Sequence, residues 1–494
     1  MKNRLKYIVL ATILSAFLVS CKTEYLDPVP ATAISDLTAF DTRDRIIGQV
    51  NGLYTAVKSG QYLGGRYQVY NDIRGDDFLN LQSNGVTGFG TWNHSLSTTS
   101  AEVTNLWTQV YNAINRFNVF IDGMSANRER ILETRILTQA EFDQFVGEAL
   151  ALRGMAYFHL SMLYARPYNQ NPNAPGLVLR LTGQKDDTGN ELARSTVAET
   201  YRQIIADLDA AKLLLPPSHA AVTTNNALNV TRMQRNTVIA LLTRVHLHRS
   251  NYAAVLAEGN IIVPLAAPFV NAGGGVQYGL ATTFESIFRP PYTTAESMFS
   301  IPMTPDELPG TQNQLGHYFS IPPAGANEYP INLASPIWTN TTDFPATDAR
   351  RLLTATHGGN TYINKYSAMP HTDWAPVIRY AEVLLNVAEA EARVNGVNSR
   401  AVALLNAVHL RSNSGRTPMT PTDFANVNAF VDRVMLERNM EFLGEGIRNM
   451  DIKRKVAPFG AKGAALAVPP TSIAYVWPIP QSEINVNRLI VQNE

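Results

Sequence analysis

Apolar residues recurring at three- and four-residue spacing constrain this chain most, because only a helix puts such a series on one face. After Thr196 and Glu199, residues Tyr201, Ile204, Ile205, Leu208, Ala211 and Leu215 keep that spacing until Pro216-Pro217 ends the run. In PVIRYAEVLLNVAEAEARVNG, the residues Val377, Tyr380, Ala381, Leu384, Ala388 and Ala392 share a face, and Asn395-Gly396 offers a stop. Similar patterns predict helices over about 38–58, 100–124, 139–165, 231–250, 399–412 and 427–446. Three Thr-x-x-Glu signatures, Thr99/Glu102, Thr138/Glu141 and Thr196/Glu199, mark expected helix starts with capping boxes. Between 264 and 376 the periodicity stops, and half of the chain's 28 prolines fall there. That stretch is expected to be loop and short strand, with Ser297–Ile301 and Tyr475–Trp477 as strand candidates.

The first residues carry Lys2, Arg4 and Lys6, and an apolar run from Tyr7 to Val19 follows. As a helix this run would rise only about 20 Å, short of a hydrocarbon core of roughly 30 Å, so it reads as a signal peptide over 1–20. Leu18-Val19-Ser20-Cys21 has the form of a lipobox, which makes Cys21 the expected lipidation site and 22–36 a tether. Cys21 is the chain's single cysteine, so it has no intrachain disulfide partner. Residues 37–494 are expected to form one folded unit, with loop-rich faces at about 60–98 and 264–376 where a ligand would be met. Without the leader's three basic residues the chain is slightly acidic, which argues against nucleic acid as a partner.

The sequence carries no phosphate loop, no His-Glu-x-x-His zinc helix and no Gly-x-Ser-x-Gly elbow, and Gly273-Gly274-Gly275 lacks the lysine of a phosphate cradle. His246 and His248 stand two apart in a helical pattern and point to different sides, so they are not read as metal ligands. No metal, cofactor or catalytic residue is assigned. An exported hydrolase, the rival reading, would need a pair of flanking carboxyls. Asp72, Asp76 and Asp77 in YNDIRGDDF come nearest, but their adjacency fits turn chemistry and a salt link to Arg74 better.

The ends and the helices together resemble the SusD/RagB family of outer-membrane nutrient-binding lipoproteins. The likeness runs through YLDPVPATAIS, YNDIRGDDF, LWTQVYNAINRFN, EALALRGMAYFHLSMLYARP, RSTVAETYRQIIADLDAAKLLLP, VIRYAEVLLNVAEAEARVNG, LERNMEFLGEGIRNMDIKR and VWPIPQSEINVNRLIVQN, in the family's order. Gly154 departs from it, standing where the family usually has Ala. The resemblance implies a mainly α fold, a tetratricopeptide-like helix-pair scaffold with long inserted loops and a few short strands. It also implies capture of an oligosaccharide or peptide at the cell surface and delivery to a SusC-like TonB-dependent transporter, with lipid anchoring at the outer membrane. Arg379, Glu382, Glu389, Glu437, Arg438, Glu441, Glu445, Arg448, Asp451 and Arg454 lie in recurring scaffold motifs and read as ion pairs between helices.

A sugar presents an apolar face and an edge of hydroxyls, so a binding site pairs aromatic platforms with planar polar groups. Trp107 and Trp477 sit within patterned segments and are expected in the core. Trp92 with Asn93, Tyr318, Tyr329, Trp338 and Trp374 lie in loop-rich stretches and are the expected ligand contacts, together with Asp76. Peptide remains the alternative ligand at this stage.

Overall fold

The computed structural model describes residues 38–186, 188–219, 227–271 and 275–493. The leader, Cys21, the tether and Gly273-Gly274 lie outside the described residues. The scaffold helices are α1 (Arg43–Lys58), α2 (Arg66–Ile73), α3 (Ala101–Ala126), α4 (Gln139–Tyr164), α5 (Val197–Leu214), α6 (Arg235–His248), α7 (Tyr252–Ile262), α8 (Tyr380–Asn395), α9 (Ser399–Ser412), α10 (Val427–Glu441) and α11 (Arg448–Arg454). Helices α4 and α5, α6 and α7, and α8 and α9 pack as pairs, while α5 lies against α6 and α7 against α8. This is a tetratricopeptide-like stack in which each pair buries the next.

Burial explains what each helix needs from its sequence. Between Gly147 and Tyr164 every residue of α4 except Leu150 is buried, so this helix runs through the core and is enclosed on all sides. Gly154 stands where α4 meets α5: a Cβ there would lie 3.1 Å from Leu208 Cγ and 3.2 Å from the Ile204 carbonyl oxygen. The last carbonyls of α4 are met by a buried lysine, since Lys453 Nζ donates to the backbone oxygens of Met162 and Ala165 at 2.7 Å each. Among the described residues no helix is long and apolar enough to cross a membrane.

Two of the three expected capping boxes form, at Thr138/Glu141 and Thr196/Glu199. The third does not. Helix α3 starts after Ser100, and Glu102 turns away to accept the backbone N–H groups of Gly90 and Thr91 at 3.1 and 2.9 Å. Two amides of the preceding turn outbid the single one a box would offer.

Four short strands lie in or beside the loop region: β1 (Ser297–Ile301), β2 (Thr354–His357), β3 (Asn360–Ile363) and β4 (Ala375–Arg379). Strand β1 forms as expected but pairs antiparallel with β4, so Val377 belongs to a strand and α8 begins only at Tyr380. Strands β2 and β3 close through Gly358-Gly359, both at positive φ as a two-residue hairpin requires. The expected strand Tyr475–Trp477 does not form: Tyr475 ends one tight helical turn, Ile473–Tyr475, and Val476-Trp477 follow outside any strand. The 60–98 stretch also holds more structure than expected, because all eight residues of α2 are buried and leave no exposed face for a period to show.

A buried charge network locks the loop region to the scaffold. Arg379 pairs with Glu445 at 2.7 Å and Glu441 at 3.0 Å, and also with Glu296. Arg350 bridges Asp348 at 2.7 Å and Glu437 at 2.5 Å. Beside it, Arg244 holds Glu382, Arg438 holds Asp451, and Arg454 joins Glu389 to Asp451. The motif charges are thus scaffold ties.

Candidate ligand site

The acidic turn after α2 decides where Arg74 goes. Asp76 Oδ1 accepts from Arg448 Nη2 at 2.7 Å, and Asp77 lies 3.3 Å from Arg448 Nε. Asp72 accepts the backbone N–H groups of Gly446 and Arg448 at 2.9 and 3.3 Å. The expected salt link from these acids to Arg74 is therefore replaced by one to Arg448, 374 positions further on. Gly75 allows it, since a Cβ there would sit 2.4 Å from Arg448 Cγ. Burial pushes Asp72 up to about 7, and burial opposed by Arg448 leaves Asp77 at about 6, while Arg448 overcomes burial to hold Asp76 below its usual range. Asp76, expected at the ligand, is buried in this clasp.

Arg74 points the other way. Its Nη2 donates to the backbone oxygens of Ala474 and Tyr475 at 3.1 and 2.9 Å, and its guanidinium lies 4.6 Å from the centre of the Phe459 ring. Nε and Nη1 have no hydrogen-bond partner. Arg74 lies at the wall of a cleft of about 490 Å³, with Nε and Nη1 themselves out of solvent contact. One side of that cleft is the turn from Thr91 to Thr98, and the other is Ile473–Pro478 with Gln492 and Asn493. His94, at positive φ, is kept neutral: burial first, then Lys462 and Arg74, push its pKa down to about 2. A second cavity, of about 580 Å³, shares Gln492 and Asn493 and is bordered by Arg166, Gln170, Asn171 and Asn173. The two form neighbouring compartments along the C-terminal segment, with amide and hydroxyl residues set in largely apolar walls.

The structure does not gather the expected ligand residues into one arc. Trp92 is only 4% exposed, its Nε1 donating to the Phe78 carbonyl at 2.9 Å, although the turn that carries it forms the cleft wall. Asn93, next to it, is partly exposed and bonds to Ser95. Tyr318 and Tyr329 are buried with their hydroxyls on the carbonyls of Gln312 and Thr87. Trp338 is half-covered by the Arg351 guanidinium, 4.5 Å over its ring. Trp374 stacks on Tyr292 at 5.5 Å, part-exposed and outside the cleft lining. Trp107 and Trp477 are core, as expected. Sequence reasoning missed Arg74 and the 473–478 wall. The only signal was negative: three acids beside Arg74 with a more distant arginine available to take them.

The helix-pair scaffold with clefts on its connecting segments defines the architecture, and sequence comparison says which family carries it. A family profile described as starch-binding and associating with the outer membrane matches residues 24–247, and one for the SusD family matches residues 350–467. SusD-like protein P2 of Formosa agariphila is 24% identical, with 99% of each chain aligned. A SusD superfamily protein from Bacteroides fragilis is 30% identical over 91% of this chain and 99% of its own, with a TM-score of 0.80. Surface glycan-binding protein A from Bacteroides thetaiotaomicron, solved with laminarihexaose, is 20% identical over 92% of this chain and 99% of its own, with a TM-score of 0.69. The chain belongs to the SusD family.

Proposed function

We propose that this protein is a surface lipoprotein that binds an oligosaccharide in the cleft between the 91–98 turn and the C-terminal segment, and hands it to a SusC-like TonB-dependent transporter in the outer membrane. The observation that carries the site is the cleft itself. It is concave and lined by hydroxyls and amides, and an apolar Ile473–Pro478 wall faces them on a scaffold that ion pairs hold rigid. Sugars need that combination, and the adjoining compartment past Gln492 gives room for several units. The family's outer-membrane description and the laminarihexaose complex of a relative agree with a glycan ligand. Acylation at Cys21 would supply the anchor, because a triacylated cysteine holds a membrane where a single chain does not.

The test is an array of glycans and peptides probed with the chain lacking residues 1–21. Binding confined to saccharides is the expected result. Binding confined to peptides, or to nothing, contradicts the proposal.

A further inference from the structure

We propose that Arg74 anchors an anionic group, a carboxylate or a sulfate ester, on the saccharide that enters the cleft. The inference rests on the cleft being the saccharide site, and it narrows the ligand to an acidic glycan.

The case begins with an inequality among buried arginines. Arg244, Arg379 and Arg438 are as inaccessible as Arg74, each 1–2% exposed. Each of those three holds a carboxylate: Glu382 at 2.6 Å, Glu445 at 2.7 Å and Asp451 at 2.8 Å. Arg74 pairs with no acid among the described residues, although three aspartates lie within three positions of it, and two of those are committed to Arg448. A guanidinium out of water without a counter-charge is costly, and leaving donors unmade adds to the cost. Phe459 covers one face of it and two carbonyls satisfy one nitrogen, so Nε and Nη1 remain. Burial lowers its pKa only to about 9, which leaves it charged at neutral pH.

The surroundings match an anion that carries hydroxyls. None of the cleft-lining residues is acidic. Trp477 Nε1, on the same wall, is a second buried donor without a partner. Lys462 is committed to the carbonyls of Ile73 and Gly75, and burial pulls its pKa well below the usual lysine range, so the positive charge at this wall is that of Arg74. Ser95, Ser97 and Thr98 bring hydroxyls to the cleft lining, while the Gln492 amide is held by the backbone of Ile479 and Asn493. An oxygen of a carboxylate or sulfate would accept from Nη1 or Nε singly, because both forks of the guanidinium run through Nη2, whose donors are already on the Ala474 and Tyr475 carbonyls.

The experiment measures the affinities of the chain lacking residues 1–21 for a panel. The panel holds oligogalacturonate, its methyl-esterified neutral form, a chondroitin sulfate hexasaccharide and cellohexaose, and it is titrated at two salt concentrations. We expect an anionic member to bind roughly tenfold or more tighter than the neutral ones, with the ratio shrinking at high salt. Arg74→Gln should bring the acid-to-neutral ratio close to one, and Arg74→Lys should keep part of it. The ratio is internal to each variant, so a loss of stability does not imitate the effect. If Arg74→Gln does not fold, the wild-type ratio and Arg74→Lys decide. The uronate and sulfate arms show which anion is taken. Neutral saccharides bound as well as acidic ones, or a ratio unchanged by Arg74→Gln, would overturn the proposal and leave the cleft reading standing. Binding of no saccharide would overturn both.

Discussion

At the scale of single residues, environment and not type decides what a side chain does here. Trp92 has the composition of a sugar platform, yet it is enclosed and bonded to Phe78, so Trp92→Ala should lower stability by about 3–5 kcal/mol, as truncating a large core aromatic does. Thermal melting checks this, and an unchanged melting temperature would return Trp92 to the ligand surface. Asp72 offers a pH test. Its folded-state pKa is raised from 3.8 to about 7, chiefly by burial, so the folded state holds a proton that the unfolded chain has lost. The stability that this proton brings is complete below about pH 4 and fades as pH rises to about 7. Asp72→Asn mimics the protonated acid and should flatten that part of the pH–stability curve; a curve of unchanged slope would contradict it. Which residues bear charge and which bear rings was legible in the sequence. Which of two arginines would take the 76–77 acids was not, because Arg448 arrives from the far end of the chain.

At the scale of elements, local rules held wherever the competing partners were also local. Thr138 and Thr196 cap their helices with the glutamates three positions on, as the spacing predicts. Thr99 does not, because Glu102 finds two better-placed amides in the 90–91 turn. Thr138→Ala should therefore cost about 1 kcal/mol and Thr99→Ala close to nothing, measured by urea denaturation. Equal costs would mean that the boxes are not what separates them. The same contrast explains the strands. Ser297–Ile301 looked like a strand by composition, but its partner came from the start of a segment whose apolar residues fit a helix, and β4 pairing won over the first turn of that pattern. The motif charges act as ties, since their helical spacing places them between packed elements. Glu437, wholly buried between Arg350, Arg433 and His409, shows what such a tie is worth. Glu437→Ala should cost about 3–5 kcal/mol by removing the buried carboxylate shared by Arg350, Arg433 and His409, although Arg350 keeps Asp348. Unaltered melting together with lost saccharide binding would instead place Glu437 at the ligand.

At the scale of the whole molecule, the helix-pair stack was legible because helices that keep one face exposed, such as α5, leave a periodic record. The proposed ligand face was legible only in part. One cleft wall, the 91–98 turn, lies in the first loop-rich stretch, but the opposite wall comes from 473–478 and not from 264–376. Helix stacking sets that juxtaposition, and no local pattern encodes it. The proposed anchor acts at the same scale: Cys21→Ala should move the protein from the membrane fraction to the soluble one without changing its melting, as expected of a site that carries only lipid. Retention after a high-salt wash would contradict lipid anchoring. The central claim, that the cleft holds the saccharide, meets its most direct test in calorimetric titration of Ser97→Trp with the best-bound member of the array. Ser97 is exposed on the cleft rim, so the indole fills the opening without entering the core. The account predicts affinity weakened by roughly tenfold or more, on the order of 1.4 kcal/mol, at an unchanged melting temperature. Undiminished affinity in a folded Ser97→Trp protein would place the saccharide elsewhere.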